Sequence, residues 1–351
     1  MSFDPNAAAA ADSGIFGLPF APDEARVVLL PVPWDATTSY GSGAADGPGA
    51  ILEASRQVDL FDAETGKPFE AGIAMLPESA DIRAWNNEAR LLAEGIIEAG
   101  GNIAGDAELE SALAQVNAIS ARINDVVYLD TKRLLGQGKI VGLIGGDHAT
   151  PFGAIRAYAE TFPGLGILHV DAHADLRHAY EGFEHSHASI MENVTRLIPG
   201  VSKLLQVGIR DFCEEEITRI GQSQGRITTL FDVQVARARM QGRLLDVFAQ
   251  AVGKLPRDVY VSFDIDGLDP ALCPNTGTPV PGGLSLLEAS ALVGMIAQSG
   301  RRIVGFDLNE VAPGEEGDEW DGNVGARLLY KLIGWTLISQ GLSKAPVLPV
   351  G

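Results

Sequence analysis

Short apolar runs alternate with longer amphipathic stretches along most of this chain of 351 residues. Such alternation is typical of a parallel sheet whose two faces are covered by helices. We therefore predict an α/β protein, a single-domain three-layer α/β/α fold with a mostly parallel sheet of about eight strands. This domain is expected over residues 25–341, between an N-terminal arm (1–24) and a C-terminal tail (342–351). The predicted strands lie at 27–31, 73–76, 140–144, 166–170, 203–207, 227–230, 259–263 and 303–306.

Helical spacing of apolar residues fills most of the intervals between these strands. The first predicted helix follows Pro48, because proline is favoured at the start of a helix. The predicted helices lie at 49–58, 107–135, 152–158, 189–197, 233–252, 286–298 and 324–337.

Acidic and histidine residues concentrate directly after four of the predicted strands. All six histidines of the chain lie between His148 and His187. Ligands of open α/β sheets bind outside the carboxyl ends of the strands, so these four segments are expected to face one crevice. The segments are 145–148 (GGDH), 171–175 (DAHAD), 264–270 (DIDGLDP) and 307–310 (DLNE).

The spacing of these polar residues favours a metal site over isolated structural roles. A single Asp at a strand end is usually a turn former or a helix cap. Polar residues at every second position of an extended segment instead share one side, where they would repel each other unless a cation lies among them. Carboxylates and imidazoles favour Mn²⁺ or a similar ion, and two such ions can share bridging carboxylates. The natural ligands are His148, Asp171, His173, Asp175, Asp264 and Asp266.

Composition excludes several classes of partner. The chain has 26 basic and 46 acidic residues, a formal charge of -20, which argues against binding to nucleic acid or an anionic membrane. Two cysteines outside any CxxC pair do not indicate a disulfide scaffold and suit a reducing compartment. Residues 1–14 lack the basic residues of a signal peptide, and no apolar run approaches the ~20 residues of a membrane span. We predict a cytoplasmic protein.

Taken together, the motifs resemble the ureohydrolase superfamily of arginase, agmatinase and formimidoylglutamase, with agmatinase-like enzymes as the nearest subgroup. Three ordered and spaced motifs are specific in combination. The resemblance covers roughly residues 25 to 340. It is carried by GGDH at 145–148, DAHAD at 171–175, SFDIDGLDP at 262–270, GTPVPGG at 277–283 and the segment WDATTSYGSGAADGPGAILEAS at 34–55.

The resemblance implies a binuclear centre, with Mn²⁺ favoured and Ni²⁺ as the alternative. It implies that Asp171 and Asp264 bridge the ions, and that hydroxide attacks a guanidino carbon while Asp175 passes a proton to the departing amine. Glu310 matches the family glutamate that binds the guanidinium group. A homo-oligomer, a trimer or a hexamer, is also implied. One ion would be held by His148, Asp171, Asp175 and Asp264, and the other by Asp171, His173, Asp264 and Asp266.

The family also has a histidine that shuttles protons without binding metal. The string Ser-His-Ala at 186–188 favours His187 for this role and for substrate binding, with His185 as the competitor. His169 is expected to alternate away from the ligand side of its strand. His178 is expected in a solvated loop.

The sequence motifs indicate the type of reaction more closely than they indicate the substrate. Agmatine, which would give putrescine and urea, is preferred. Free guanidine, a guanidino acid and formimidoylglutamate remain open. Arg177 could bind a substrate carboxylate or pair with Glu181 or Glu184. Outside the family, a metal-dependent phosphoesterase would need basic groups, for which Arg177 is the evident candidate, and a non-catalytic metal-binding relative would tend to have lost ligands.

Overall fold

The computed structural model describes residues 3–315 and 318–349, so positions 1 and 2 of the predicted arm and 350 and 351 of the predicted tail lie outside the described residues. Within this part of the chain, eight strands form one sheet in the order β2-β1-β3-β8-β7-β4-β5-β6, and every pairing is parallel. The strands are β1 (Val27–Val32), β2 (Ile73–Met75), β3 (Ile140–Gly145), β4 (Leu165–Val170), β5 (Val201–Ile209), β6 (Ile227–Phe231), β7 (Asp258–Asp264) and β8 (Arg302–Asn309).

Helices cover both faces of this sheet and give the predicted three layers. Alternate residues of one strand enter different cores: Val27 and Leu29 of β1 pack in one, Val28 and Leu30 in the other. The helices are α1 (Gly47–Ser55), α2 (Ala80–Glu98), α3 (Ala107–Gly136), α4 (Phe152–Thr161), α5 (Ile190–Leu197), α6 (Glu214–Gln222), α7 (Asp232–Met240), α8 (Leu244–Val252), α9 (Leu286–Gln298) and α10 (Trp320–Ser339).

The helices differ from the prediction at three places. The helix predicted at 233–252 is two helices, α7 and α8, because Gly242 between them adopts a left-handed conformation with φ 66°. The helices α2 and α6 were not predicted, although Ser79 caps α2 by accepting a hydrogen bond from the Ile82 amide. Among the described helices, none is both long and apolar enough to cross a membrane.

The strand order determines where the polar segments meet. The strands β8 and β7 lie between β3 and β4, so four adjacent strands in the middle of the sheet all end at the same edge. These are the four strands after which the sequence places its acids and histidines. The predicted crevice therefore lies at one continuous stretch of that edge.

Tyr158 of α4 completes the sheet where β3 and β8 diverge. Their register begins at Gly142, opposite Phe306. One residue earlier, the Tyr158 hydroxyl accepts a hydrogen bond from the Val141 amide (2.9 Å) and donates one to the Val141 carbonyl (2.8 Å). A glycine at 305 makes room, since a Cβ there would lie 2.2 Å from the Tyr158 ring. The hydroxyl thus forms the two hydrogen bonds that the backbone of β8 would otherwise form with Val141.

We expect Tyr158→Phe to lower the free energy of unfolding by about 1–3 kcal/mol, because it leaves a buried backbone donor and acceptor without a partner. Urea denaturation measures the change. Tyr128→Phe is the matched control: it removes the same atom from a partly exposed ring whose hydroxyl bonds surface Glu160. Equal stability of the two variants would contradict the assignment.

Candidate metal centre

The first group of potential ligand atoms surrounds His148, directly after β3. Its Nδ1 atom lies 2.9 Å from Asp171 Oδ2, at the end of β4, and 3.2 Å from Asp264 Oδ2, at the end of β7. Asp175 Oδ2 is 3.4 Å from the same nitrogen. All four residues are buried. Four donors from three strand ends therefore converge on one point.

The second group lies beside the first and shares Asp171 with it. His173 Nδ1 is 3.0 Å from Asp266 Oδ2 and 3.5 Å from Asp171 Oδ1. Asp171 thus presents one oxygen to each group, as a bridging carboxylate would. Asp264 directs Oδ2 to the first group, while its Oδ1 accepts a hydrogen bond from the Asp266 amide (2.8 Å). Bridging by Asp264 remains a prediction.

The electrostatics of these side chains suit a cation. Burial raises the pKa of Asp175 well above its usual range, and the charge of Asp171 raises it further. Burial and the charges of Asp266 and Asp171 raise the pKa of Asp264 in the same way. Closely spaced buried carboxylates disfavour ionisation unless positive charge lies among them. Oxygen and imidazole donors in this arrangement fit divalent first-row ions.

An uncommon backbone conformation positions Asp175. Its φ is 54°, in the left-handed region that few residues other than glycine adopt. The first residues of α5 hold it there, since the amides of Met191 and Glu192 donate to the Asp175 carbonyl at 3.1 and 3.0 Å. The segment after β4 is therefore not simply extended, and the spacing of two explains its side-chain directions only up to His173.

Glu310 has a similar conformation at the end of β8, with φ 63°. Its amide donates to the Gly146 carbonyl (2.8 Å), and its Oε1 accepts from the His148 amide (2.9 Å). Burial, followed by the charges of Asp264 and Asp147, raises the pKa of Glu310 well above its usual range. A buried carboxylate thus lies beside the ligand groups with a carboxylate oxygen, Oε2, left for another partner.

A series of hydrogen-bonded side chains holds the Nε2 side of the His148 ring, opposite the nitrogen that faces the other ligands. His148 Nε2 lies 2.9 Å from Ser262 Oγ, which donates to Asp307 Oδ1 at 2.9 Å. Asn309 Nδ2 donates to the same carboxylate oxygen at 2.6 Å, and its Oδ1 accepts from Thr150 Oγ1 at 2.9 Å. With Ser262 donating to the carboxylate, Nε2 carries the His148 proton and Nδ1 is free for a metal. Sequence reasoning missed Ser262 and Asp307, although both lie in motifs that it identified.

A cavity of about 150 Å³ opens beside the second ligand group. His173, Asp175 and His187 line it together with Arg177 and others. The Arg177 guanidinium carbon is 5.0 Å from the centre of the Tyr180 ring, within range of a cation–π contact. The cavity lining also includes Ser39, Ala188, Asp211, Phe212, Glu216 and Thr278.

The proposed pairing of Arg177 with Glu181 or Glu184 was wrong. Within the described residues, no ion pair of 4.0 Å or less involves Arg177. The reason is geometric, because the side chain turns toward Tyr180 and the cavity. Its charge is therefore available at the mouth of the site.

The structure separates the histidines near this cavity. His187 is half-buried and lines the cavity, whereas the ring of His185 packs against Phe152 at 5.2 Å. Burial and the nearby His173 lower the pKa of His187 to about 4. The His178 side chain is 66% exposed, in the solvated position expected of it.

The expectation for His169 was wrong. Its Nε2 atom lies 2.8 Å from Asp171 Oδ2, so it faces the ligand side. The same spacing of two that groups Asp171 with His173 also includes residue 169, and could have found it. Glu216 was missed as well: its carboxylate accepts from the Leu176 amide (2.9 Å) and the Cys213 amide (2.8 Å), which ties the ligand loop to α6. No motif marks that contact.

Known proteins resemble this chain both in sequence and in fold. A model of the Arginase family matches residues 25–334. N(1)-aminopropylagmatine ureohydrolase of Thermus thermophilus is 35% identical over 329 residues, covering 93% of this chain and 96% of the relative. Agmatinase of Bacillus cereus is 31% identical over 298 residues, covering 83% and 85%.

The solved structure of agmatine ureohydrolase from Thermoplasma volcanium has the same fold. It superimposes with a TM-score of 0.71 at 24% sequence identity, over 94% of this chain and 96% of that one. Fold, motifs and full-length similarity agree, and the chain therefore belongs to the arginase family.

Proposed function

We propose that this protein is a binuclear-metal hydrolase that cleaves the guanidino C–N bond of agmatine and releases urea and putrescine. The observation that carries the proposal is the pair of ligand groups sharing Asp171, with the buried Glu310 carboxylate beside them. The names of the relatives support an agmatine-type substrate, since they refer to agmatine or its aminopropyl derivative.

Two divalent ions, Mn²⁺ by preference and Ni²⁺ as the alternative, would occupy the two ligand groups. When bound, they would supply Lewis acidity and lower the pKa of a water molecule. The donor set of carboxylates and imidazoles supports this choice over a thiol-bound metal. Metal analysis that found one tight ion in a fully active enzyme would contradict it. The ligands would be His148, Asp171, His173, Asp175, Asp264 and Asp266.

Glu310 would bind the substrate guanidinium group. A carboxylate matches a planar cation in charge and in hydrogen-bonding geometry. A Cβ at Gly277 would lie 3.6 Å from Glu310 Oε2, so glycine at this position leaves room beside the carboxylate. A phosphoesterase would have no use for an acid here, because it would repel an anionic substrate.

Asp175 and His187 would handle protons. Asp175 lines both the first ligand group and the cavity, from which it would pass a proton to the departing amine. His187, with its lowered pKa, is a neutral imidazole at pH 7 and can accept a proton or bind the substrate. Its place in the cavity supports His187 over His185.

Two opposite charges at the cavity mouth bear on the substrate tail. Asp211, with a side chain that is 68% exposed, would attract the ammonium group of agmatine. Arg177 would instead favour a substrate that ends in a carboxylate. The names of the relatives support the cationic substrate, and a guanidino acid is the alternative that Arg177 favours.

The proposals for assembly and location rest on the family resemblance and the composition. The family resemblance supports a homo-oligomer, a trimer or a hexamer. The excess of acidic residues and the two unpaired cysteines support a cytoplasmic enzyme. Light scattering and cell fractionation test these two points.

We expect Glu310→Gln to lower kcat/KM for agmatine by about 100-fold, the cost of losing a charge-assisted hydrogen bond of roughly 3 kcal/mol. Urea release is the measurement, with metal content determined in parallel. Glu315→Gln, in an exposed loop, is the matched control and should be unchanged. Undiminished urea release by Glu310→Gln would exclude the role. Phosphate-ester hydrolysis without urea release by the wild type would exclude the reaction.

We expect His187→Ala to lower kcat by roughly 10²–10⁴-fold, as for other general acid–base residues, with the metal content unchanged. His185→Ala removes the same side chain from a packing position and should be much milder. Steady-state kinetics of both variants decide between the two histidines. The reverse ranking would assign the shuttle to His185.

We expect Asp211→Asn to raise KM for agmatine by about two- to five-fold, the size of an exposed ion pair, and to leave hydrolysis of free guanidine unchanged. Arg177→Gln should leave agmatine hydrolysis nearly intact. The opposite outcome has two parts: the wild type prefers 4-guanidinobutyrate over agmatine, and Arg177→Gln abolishes turnover of 4-guanidinobutyrate. That outcome would show that the substrate is a guanidino acid.

A further inference from the structure

One buried imidazole at this edge of the sheet has no part in the proposed reaction. His169, in β4, is fully buried, and its Nε2 atom is 2.8 Å from Asp171 Oδ2. Its ligand-type atom lies within 4.8 Å of those of His148, Asp171 and Asp175. It could therefore either bind a metal ion or hold a ligand in place. The position of its proton decides between these roles.

The surroundings of Gln206, in β5, determine that position. Gln206 Nε2 lies 2.7 Å from the Ala174 carbonyl oxygen, which can only accept a hydrogen bond. The amide oxygen of Gln206 lies 2.9 Å from Thr229 Oγ1, which donates to it. The side-chain amide therefore has one orientation, with its nitrogen toward Ala174.

The second N–H of that amide points at the imidazole. Gln206 Nε2 is 3.1 Å from His169 Nδ1, so this ring nitrogen accepts and carries no proton. The ring proton of a neutral imidazole must then lie on Nε2, facing Asp171.

We propose that His169 is a positioning residue that donates Nε2–H to Asp171 and does not bind metal. The donation fixes the rotation of the carboxylate that both ligand groups share. Asp171 Oδ2 is thereby held toward His148, and Oδ1 toward His173. Gln206 determines which ring nitrogen donates. This inference rests on the proposed two-metal function.

Two substitutions of His169 separate positioning from ligation. In glutamine, Nε2 is as many bonds from Cα as Nε2 is in histidine, so His169→Gln keeps an N–H donor facing Asp171. Leucine keeps no donor. Calorimetric titration of metal-free protein with Mn²⁺ should give two ions per chain for wild type and His169→Gln, with similar affinity. His169→Leu should bind two ions about 10–100-fold more weakly, as for other lost contacts to metal ligands. Loss of one ion in His169→Gln would show that His169 is a ligand and overturn the proposal.

The tautomer can be read without any metal. Nitrogen NMR of ¹⁵N-histidine-labelled metal-free protein should show His169 as a neutral Nε2–H ring, with its signals assigned by their loss in His169→Gln. A proton on Nδ1 would overturn the proposal. Gln206→Glu places an acceptor opposite Nδ1 and should move the proton there, with Mn²⁺ affinity falling as in His169→Leu. Unchanged affinity in a variant with the moved proton also overturns it.

These readouts are independent of the reaction. Wild-type protein that shows the Nε2–H tautomer and binds two Mn²⁺ ions, yet releases urea from no guanidino compound, would refute the proposed function and leave the role of His169 standing. Active enzyme with the proton on Nδ1 would do the reverse.

Discussion

Repulsion among carboxylates buried at one edge of a parallel sheet is the constraint on which the rest of this structure depends. Three of these carboxylates, on Asp171, Asp175 and Asp264, lie within 3.4 Å of His148 Nδ1. The fourth, on Asp266, lies 3.0 Å from His173 Nδ1. Backbone amides stabilise part of this charge, as when Ala172 donates to Asp266 at 2.9 Å. Bound cations, or protonation of some of the carboxylates, would offset the remainder.

The strand order makes this concentration of charge unavoidable. Because β8 and β7 insert between β3 and β4, the segments that follow four strands share one short stretch of edge. Side chains from other parts of the fold orient the residues that meet at this edge. Ser262 and Asp307 fix the proton of His148, and Gln206 does the same for His169. His148 and His169 are thus each held by a side chain from another strand of the sheet.

Sequence patterns predicted the eight strands and the strings of ligand residues, but not the amphipathic helices α2 and α6. The central strands are buried on both faces, so they read as largely apolar runs, and the ligands are grouped in strings directly after three of them. Features that depend on tertiary contacts were not predicted. The break at Gly242 and the contact between Glu216 and the ligand loop have no periodic signal. His169 did have one, and was misassigned although it shares the spacing of Asp171.

The charges at the mouth of the site also depend on tertiary contacts and not on local periodicity. Arg177 stands beside acids in the sequence, but the fold directs it to Tyr180 and away from Glu181 and Glu184. Which charges face a cavity depends on loop conformation, and periodicity does not encode it. Recognition of the substrate tail is therefore the part of the function that is hardest to predict from the sequence.

The left-handed backbone of Asp175 and Glu310 has a consequence for engineering. Each residue costs of order 1–3 kcal/mol in that conformation, offset by bonds to other loops. Glycine would remove this strain. Five described residues other than glycine have a positive φ, and a search for stabilising substitutions by backbone geometry alone would include these two, which the proposed reaction needs. If these residues have the proposed roles, substitutions there that raise thermal stability would lower turnover.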